Sequence, residues 1–234
     1  MGPSSSNQPT AKDIYLQVWD GLEMPPTFSL PPCATRMFYV DPVRVTFMLA
    51  RYKFVARMLE GRDRVLEIGC QDGFGTTLVA SKTISVTAVD FHEPHIEDAR
   101  RFVNPVAPNI DFQVHDMASG PVLPTFDASY SLDVFEHLLP EESEAFLKNT
   151  ADSLSAQGTF IVGSPSLESQ VYASEETRRG HINCLSGREL QDICAKYFTN
   201  VFLFGMNDEV LHTGFPHMSH YLFCLCVGPK NPNT

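Results

Sequence analysis

The run Arg64-Val65-Leu66-Glu67-Ile68-Gly69-Cys70-Gln71-Asp72-Gly73-Phe74-Gly75 limits what this chain can fold into more than any other part of it. An apolar stretch ends near an acid and breaks into a glycine-rich turn. A helix-compatible segment follows, and a second apolar stretch closes at Ala88-Val89-Asp90. Strand, tight turn, helix and strand in that order form the unit from which parallel sheets are built. Asp90 lies 21 residues beyond Gly69. Folds that hold a dinucleotide place their ribose-binding carboxylate roughly 20 residues past the glycine turn. The glycines let the backbone approach a ligand with no Cβ in the way. A nucleoside-containing cofactor is therefore the leading reading, and an ordinary strand-end acid is the alternative for Asp90.

The turn is not a pyrophosphate fingerprint. Gly-x-Gly-x-x-Gly counted from Gly69 requires glycine at 71 and 74, where this chain has Gln71 and Phe74. Glu67, just ahead of the turn, would repel a pyrophosphate and suit a cationic ligand. The order acid-x-Gly-x-x-x-Gly resembles motif I of the class I S-adenosylmethionine-dependent methyltransferases, although their usual form has glycine at the place of Gln71.

Apolar runs and helical patterns alternate along the chain. Strands are expected over 64–69, 84–90, 110–115, 127–133 and 158–164, with helices over 75–82, 93–103 and 141–155 between them. Near-continuous apolar strands indicate a sheet covered on both faces. A helix over 41–59 precedes the first strand, with Asp41 as its N-cap and Pro42 at its first position. Another over 186–198 opens on Ser186 and Glu189 as a capping box. Strands over 200–205 and 219–227 are joined by an irregular stretch, which favours antiparallel pairing. The expected fold is a single Rossmann-like, doubly wound α/β sheet of seven strands, mostly parallel with an antiparallel last strand. Residues 1–40 read as an N-terminal extension and cap, of which about the first 12 are expected to be disordered. The main domain spans 41–228 and a tail 229–234. Residues 165–185 lack core periodicity and read as a lid.

The resemblance runs from about Tyr52 to Val227 and is closest to small-molecule enzymes with a signature like Ser131-Leu132-Asp133-Val134-Phe135-Glu136-His137-Leu138. It implies S-adenosylmethionine as cofactor. On that likeness Glu67 and Gly69 lie at the cofactor's amino-acid end, Gly73 is the second cofactor-binding glycine of the motif, and Asp133 floors the pocket beneath the methionine portion. Asp90 binds the ribose and Phe91 packs on the adenine. Asp116 accepts from the adenine amino group, and Met117 lies against the ring. Arg51-Tyr52-Lys53-Phe54 resembles the helix that precedes motif I, so Tyr39, Arg51 and Tyr52 become candidates for the cofactor carboxylate or the substrate mouth. Bland alternatives remain: Asp116 could open an Asx turn before Ser119-Gly120, Phe91 and Met117 could be core, and Glu136-His137 could merely start a helix.

Lys and Arg number 17 against 28 Asp and Glu, a net charge of −11, which disfavours nucleic acid as a partner. Residues 36–64 run the other way, with seven basic and three acidic groups. That excess is either a solvated helix face or supplies an arginine for a carboxylate. Six cysteines in no CxxC arrangement suggest reduced thiols in a cytoplasmic protein. No membrane span is expected, and oligomeric state is not legible.

Methyl transfer from a sulfonium is an in-line displacement in which the protein aligns the nucleophile and excludes water. An oxygen nucleophile is expected, and its proton calls for a base that titrates near neutrality. His181, in Gly180-His181-Ile182-Asn183, is the first candidate and His137 the second. His212 and His217, ahead of the last strand, are candidates for substrate contact. Their spacing, with His220, fits no common ligand motif, so no metal is expected. A small-molecule methyltransferase competes with a sulfonium-binding protein that transfers nothing. It competes also with a nicotinamide oxidoreductase, opposed by the missing glycines and the absence of a Tyr-x-x-x-Lys pair.

Overall fold

The structure is a computed structural model and describes residues 8–230. Eight strands form one sheet in the order β3-β2-β1-β4-β5-β8-β6-β7. The first five, β1 (Arg64–Ile68), β2 (Ser85–Asp90), β3 (Ile110–Val114), β4 (Phe126–Leu132) and β5 (Leu154–Pro165), run parallel. Strand β8 (Tyr221–Pro229) lies antiparallel between β5 and β6 (Phe198–Asn207). The strand count corrects the expected seven. Val210–His212 forms β7, paired with β6 around a two-residue turn in which Asp208 has φ 51°. Asn207-Asp208-Glu209 lacks the glycine that marks such hairpins, and three residues are too few to show an alternation.

Alternation along the strands sends side chains to two cores. Val65, Ala88, Tyr130, Ile161 and Phe223 face one side, with Tyr52, Val55 and Ala56 of α3 (Pro42–Met58) and Val79 and Ala80 of α4 (Thr76–Ala80). Ile96 and Ala99 of α5 (Glu93–Phe102) complete that side. Leu66, Ile68, Phe160, Val162, Leu222 and Cys224 face the other. There Phe146 and Leu147 of α6 (Pro140–Asp152) and Leu190 and Cys194 of α8 (Gly187–Tyr197) cover them. The helix caps expected at Asp41 and at Ser186 with Glu189 are formed. All six cysteines are free thiols.

Ahead of α3 stand two helices, α1 (Ala11–Asp20) and α2 (Pro32–Val40). The disorder expected for residues 1–12 lies outside the described residues up to 7, and α1 begins at Ala11. Helix α2 was not expected, because its cap comes from far along the chain. Asp72 in the glycine-rich turn accepts the backbone N–H of Cys33 at 2.7 Å and of Ala34 at 3.1 Å. The exposed N–H groups of a helix start are thereby satisfied, and the N-terminal segment is tied to the turn. Residues 165–185 carry a 3-10 turn over Glu168–Tyr172 and the short helix α7 (Glu175–Gly180).

Glu67 belongs to this architecture rather than to the ligand. The pleat of β1 directs it, with Val65, beneath α3, where it is 1% exposed. Tyr52 Oη donates to its Oε1 at 2.8 Å. Burial pushes the Glu67 carboxyl up to about 7, against the nearby hydroxyls of Thr76, Tyr130 and Tyr52 that hold it down. The unfolded chain returns it to about 4.5. The folded state therefore holds the proton more tightly, and stability falls as pH rises through that window. Urea unfolding of the wild type and of Glu67→Gln should diverge between pH 4.5 and 7. The wild type should lose roughly 3 kcal/mol relative to the variant on the way up. A pH-independent difference would contradict a buried, proton-holding Glu67.

Candidate active site

The parallel strands end along one edge of the sheet, and a cavity of about 1040 Å³ opens there. Open α/β sheets hold ligands at this edge, where the strand order reverses. The reversal falls between β1 and β4. Gly69 and Gly73 shape the turn at the end of β1, with φ of 81° and 75°. A Cβ on Gly69 would stand 2.2 Å from Val134 Cγ2, and one on Gly73 would stand 2.6 Å from Phe112 Cζ. Both are therefore required by close packing as well as by φ. Gln71, which replaces the usual glycine, keeps the left-handed backbone at φ 51°.

Asp90 closes β2 and lines the cavity. One oxygen accepts Gln71 N–H and the other His92 N–H, each at 2.9 Å. The carboxylate thus clamps the glycine turn. A carboxylate offers about four acceptor positions, so two remain for a pair of ribose hydroxyls. Phe91, 76% exposed, stands at the rim, while Met117 is buried among core residues and still borders the cavity. Asp116 lines it too, with Oδ1 accepting Ala118 N–H in a turn. The turn role and the cavity position coexist there.

At the opposite end Arg51 and Asp133 meet. Arg51 Nη1 lies 2.7 and 2.9 Å from the two carboxylate oxygens, and the guanidinium sits 3.9 Å above the Tyr221 ring. The pair joins α3, the end of β4 and β8. Asp133 holds φ 56°, costly for a residue with a side chain and typical of functional loops. Arg51 Nε is buried and has no hydrogen-bond partner.

His137 and His181 also border the cavity, with ring centroids 5.1 Å apart and planes at 74°. Burial, then the neighbouring His137, holds His181 below its ordinary value, against the pull of Asp133. Glu136 lies beneath them, 1% exposed, and burial followed by Asp133 pushes its carboxyl up to about 8.

Five sequence candidates do not line the cavity, Gly73 among them, because its place in the turn packs it against Phe112. Tyr39 is 83% exposed on α2 and does not line the cavity; Ala34 and Met37 are the α2 residues that do. His212 accepts Gly214 N–H at 3.1 Å, and His217 pairs with Glu168 at 2.5 Å. Neither lines the cavity; the β6–β7 hairpin and the following 3-10 turn carry them away from it. Glu67 is absent from the lining for the packing reason given above. Tyr52 does reach the cavity wall while bonding Glu67. Residues missed from sequence include His95, 3.7 Å from an Asp90 oxygen, and Glu136. Helical periodicity after Asp90 was the available signal for the first; nothing in the sequence marked Glu136 as buried.

Comparison with known proteins agrees with this geometry. Residues 65–158 match the family described as a methyltransferase domain. That segment is a methyltransferase domain, on the Rossmann-like sheet of the class I S-adenosylmethionine-dependent methyltransferases. A curated relative, the ubiquinone biosynthesis O-methyltransferase of Methylocella silvestris, is 32% identical over 114 residues. That match covers 43% of this chain and 44% of the relative, less than half of either. Two solved structures share the fold. The N-methyltransferase NodS of Bradyrhizobium japonicum WM9, in complex with S-adenosyl-L-homocysteine, has a TM-score of 0.57 and 16% identity over 93% of this chain and 98% of that one. A putative methyltransferase in complex with the Haloferax volcanii Trm112 activator has a TM-score of 0.63 and 14% identity over 86% and 100%.

S-adenosylmethionine is the cofactor that this fold family implies, and the residues present fit it. Asp90 has two acceptor positions left, and Arg51 Nε is a buried donor without a partner. Asp90→Ala should weaken S-adenosylhomocysteine binding by about 1.5–3 kcal/mol, the worth of hydrogen bonds to a charged group. Calorimetric titration measures it, alongside thermal unfolding to confirm a folded variant. Undiminished affinity in that variant would reduce Asp90 to a clamp for the turn.

Proposed function

We propose that the chain transfers the methyl group of S-adenosylmethionine to an oxygen nucleophile on a small molecule. The observation that carries this reading is a cavity with two different ends. One end presents Asp90, Phe91, Asp116 and Met117, suited to a nucleoside, and the other presents His137 and His181. A second cavity of about 550 Å³ adjoins it, and the two share Arg44, Arg51, Pro165, Tyr172, Ala173, Thr177 and His181. Space for an acceptor therefore lies beyond the arginine–aspartate pair and under residues 165–185, which act as the lid. The oxygen preference draws on the relative named as an O-methyltransferase and on the paired imidazoles.

The donor supplies the electrophilic methyl carbon when bound. The protein orients it with Asp90 and Arg51, excludes water beneath the lid, and handles the acceptor's proton. His181 is assigned that proton, with His137 beside it. Both rings hold Nδ1 against an oxygen, Gly180 O at 2.8 Å for His137 and Gln170 Oε1 at 3.2 Å for His181. A carbonyl oxygen only accepts, so Nδ1 carries the hydrogen and Nε2 keeps its lone pair. Burial first, and then the neighbouring His137, which disfavours a second positive charge, hold His181 low.

Incubation with labelled methyl donor and a fractionated metabolite pool tests the assignment. A labelled small product is expected. Tight donor binding with no transfer to any fraction would favour the reading in which the sulfonium is held but not used. Once an acceptor is known, His181→Ala should lower turnover by about 10²–10⁴ while donor affinity stays nearly unchanged. If His137→Ala loses turnover and His181→Ala does not, the roles are reversed.

A further inference from the structure

The metal expectation drawn from sequence concerned His212, His217 and His220. A different set converges in the fold. Glu136, His137 and His181 bring one carboxylate oxygen and two ring nitrogens within 4.8 Å of one another. His137 follows β4, while His181 ends α7, 44 residues further on.

The surroundings of the two rings set their tautomers. Gly180 O receives His137 Nδ1–H at 2.8 Å. The Gln170 amide is fixed by its own Nε2, which donates to Ser166 O and Ser169 Oγ, each at 3.2 Å. Its Oε1 therefore faces His181 Nδ1. Each imidazole is left with a lone pair on Nε2 and with its other nitrogen tied to an oxygen. Metal-ligating histidines are held in this way, by a hydrogen bond from the second nitrogen to a carbonyl or carboxylate. Below them the Glu136 carboxylate is buried, and its Oε2 accepts one long bond, 3.3 Å, from Ser164.

We propose that Glu136, His137 and His181 form a seat for one divalent transition-metal cation, with its open coordination position facing the acceptor end of the cavity. Two imidazoles and one carboxylate suit Zn²⁺ better than Mg²⁺, which prefers an all-oxygen shell. Three protein ligands leave a position for water or substrate. Tetrahedral bonds of about 2.1 Å would set the donor atoms about 3.4 Å apart. The three therefore draw together on binding, and His181, on the lid segment between β5 and α8, is the ligand free to move.

This inference deepens the proposed transfer to oxygen and rests on that reading. An acceptor hydroxyl on the cation gives up its proton to solvent at lower pH. The oxygen then attacks the methyl carbon. The O–C bond forms, the S–C bond breaks, and its electron pair stays on sulfur, leaving a neutral thioether. In the loaded site His137 and His181 are ligands, and the cation takes over their part in ionising the acceptor.

The test uses the full chain, stripped with chelator and desalted, then titrated with Zn²⁺ against a competing chelating dye. About one site per chain is expected, with Mg²⁺ binding far more weakly. His137→Ala and His181→Ala should abolish it. Gln170→Ala, which removes only the hydrogen bond to His181, should weaken it by about 10–100-fold. His217→Ala should leave it unchanged. Co²⁺ in the same site should lack thiolate charge-transfer bands, which separates it from the cysteines. No saturable Zn²⁺ binding, or binding kept by both histidine variants, overturns the proposal. S-adenosylhomocysteine affinity is measured on the same samples. Donor binding without zinc binding sinks the metal site alone, whereas failure of the wild type to bind the donor sinks the methyltransferase reading.

Discussion

The ion pair between Arg51 and Asp133 is the contact around which the rest of the site is arranged. It ties the helix before the first strand to the end of the fourth, and stacking on Tyr221 extends the tie to the antiparallel strand β8. Asp133 is held in a left-handed backbone conformation to make it. The side chains are 22% and 35% exposed, so the pair keeps water on one side and avoids the full cost of burying two charges. Both partners line the cavity, Arg51 bordering the adjoining smaller one as well. Arg51 Nη1 is committed to Asp133, and Nε is buried without a partner.

Two carboxyl groups of the same strand–turn segment do quieter work that supports this division. Glu67 anchors α3 through Tyr52, and Gly75 lies so close to that tyrosine that a Cβ would stand 2.3 Å from its ring. Asp72 caps α2 and so holds that helix against the cavity, where Ala34 and Met37 line it. The glycine turn is therefore fixed from three directions: Glu67 beneath it, Asp72 to one side and Asp90 on the other strand. Such preorganisation lets a ligand bind without first ordering the loop.

The strands of the parallel sheet were legible because each is a continuous apolar run bounded by turn residues. Their observed limits lie within a few residues of the expected ones, with β5 the longest departure. The spacing from Gly69 to Asp90 likewise put that carboxylate at the cavity. What escaped the sequence depended on contacts between distant segments. The cap on α2 comes from 39 positions away along the chain. Arg51 was read as a partner for a ligand carboxylate, and its protein partner is 82 positions away. Glu67 was assigned to the ligand because motif order does not reveal which face of a strand is under a helix. His137 and His181 were weighed as rivals for one role, and the fold sets them side by side. Tyr39 follows from the likeness of the helix before motif I, and His212 and His217 from their place ahead of the last strand; none of the three lines the cavity.

The proposed transfer requires the sulfonium donor to occupy the end of the cavity built by Asp90 and the Gly69 turn. Isothermal titration of the purified chain with S-adenosylhomocysteine and, separately, with NADH tests this most directly. Saturable micromolar binding of S-adenosylhomocysteine, with no heat from NADH, is the predicted result. Binding of NADH with none of the sulfur nucleoside would contradict the assignment of the turn, the carboxylate and the cavity together.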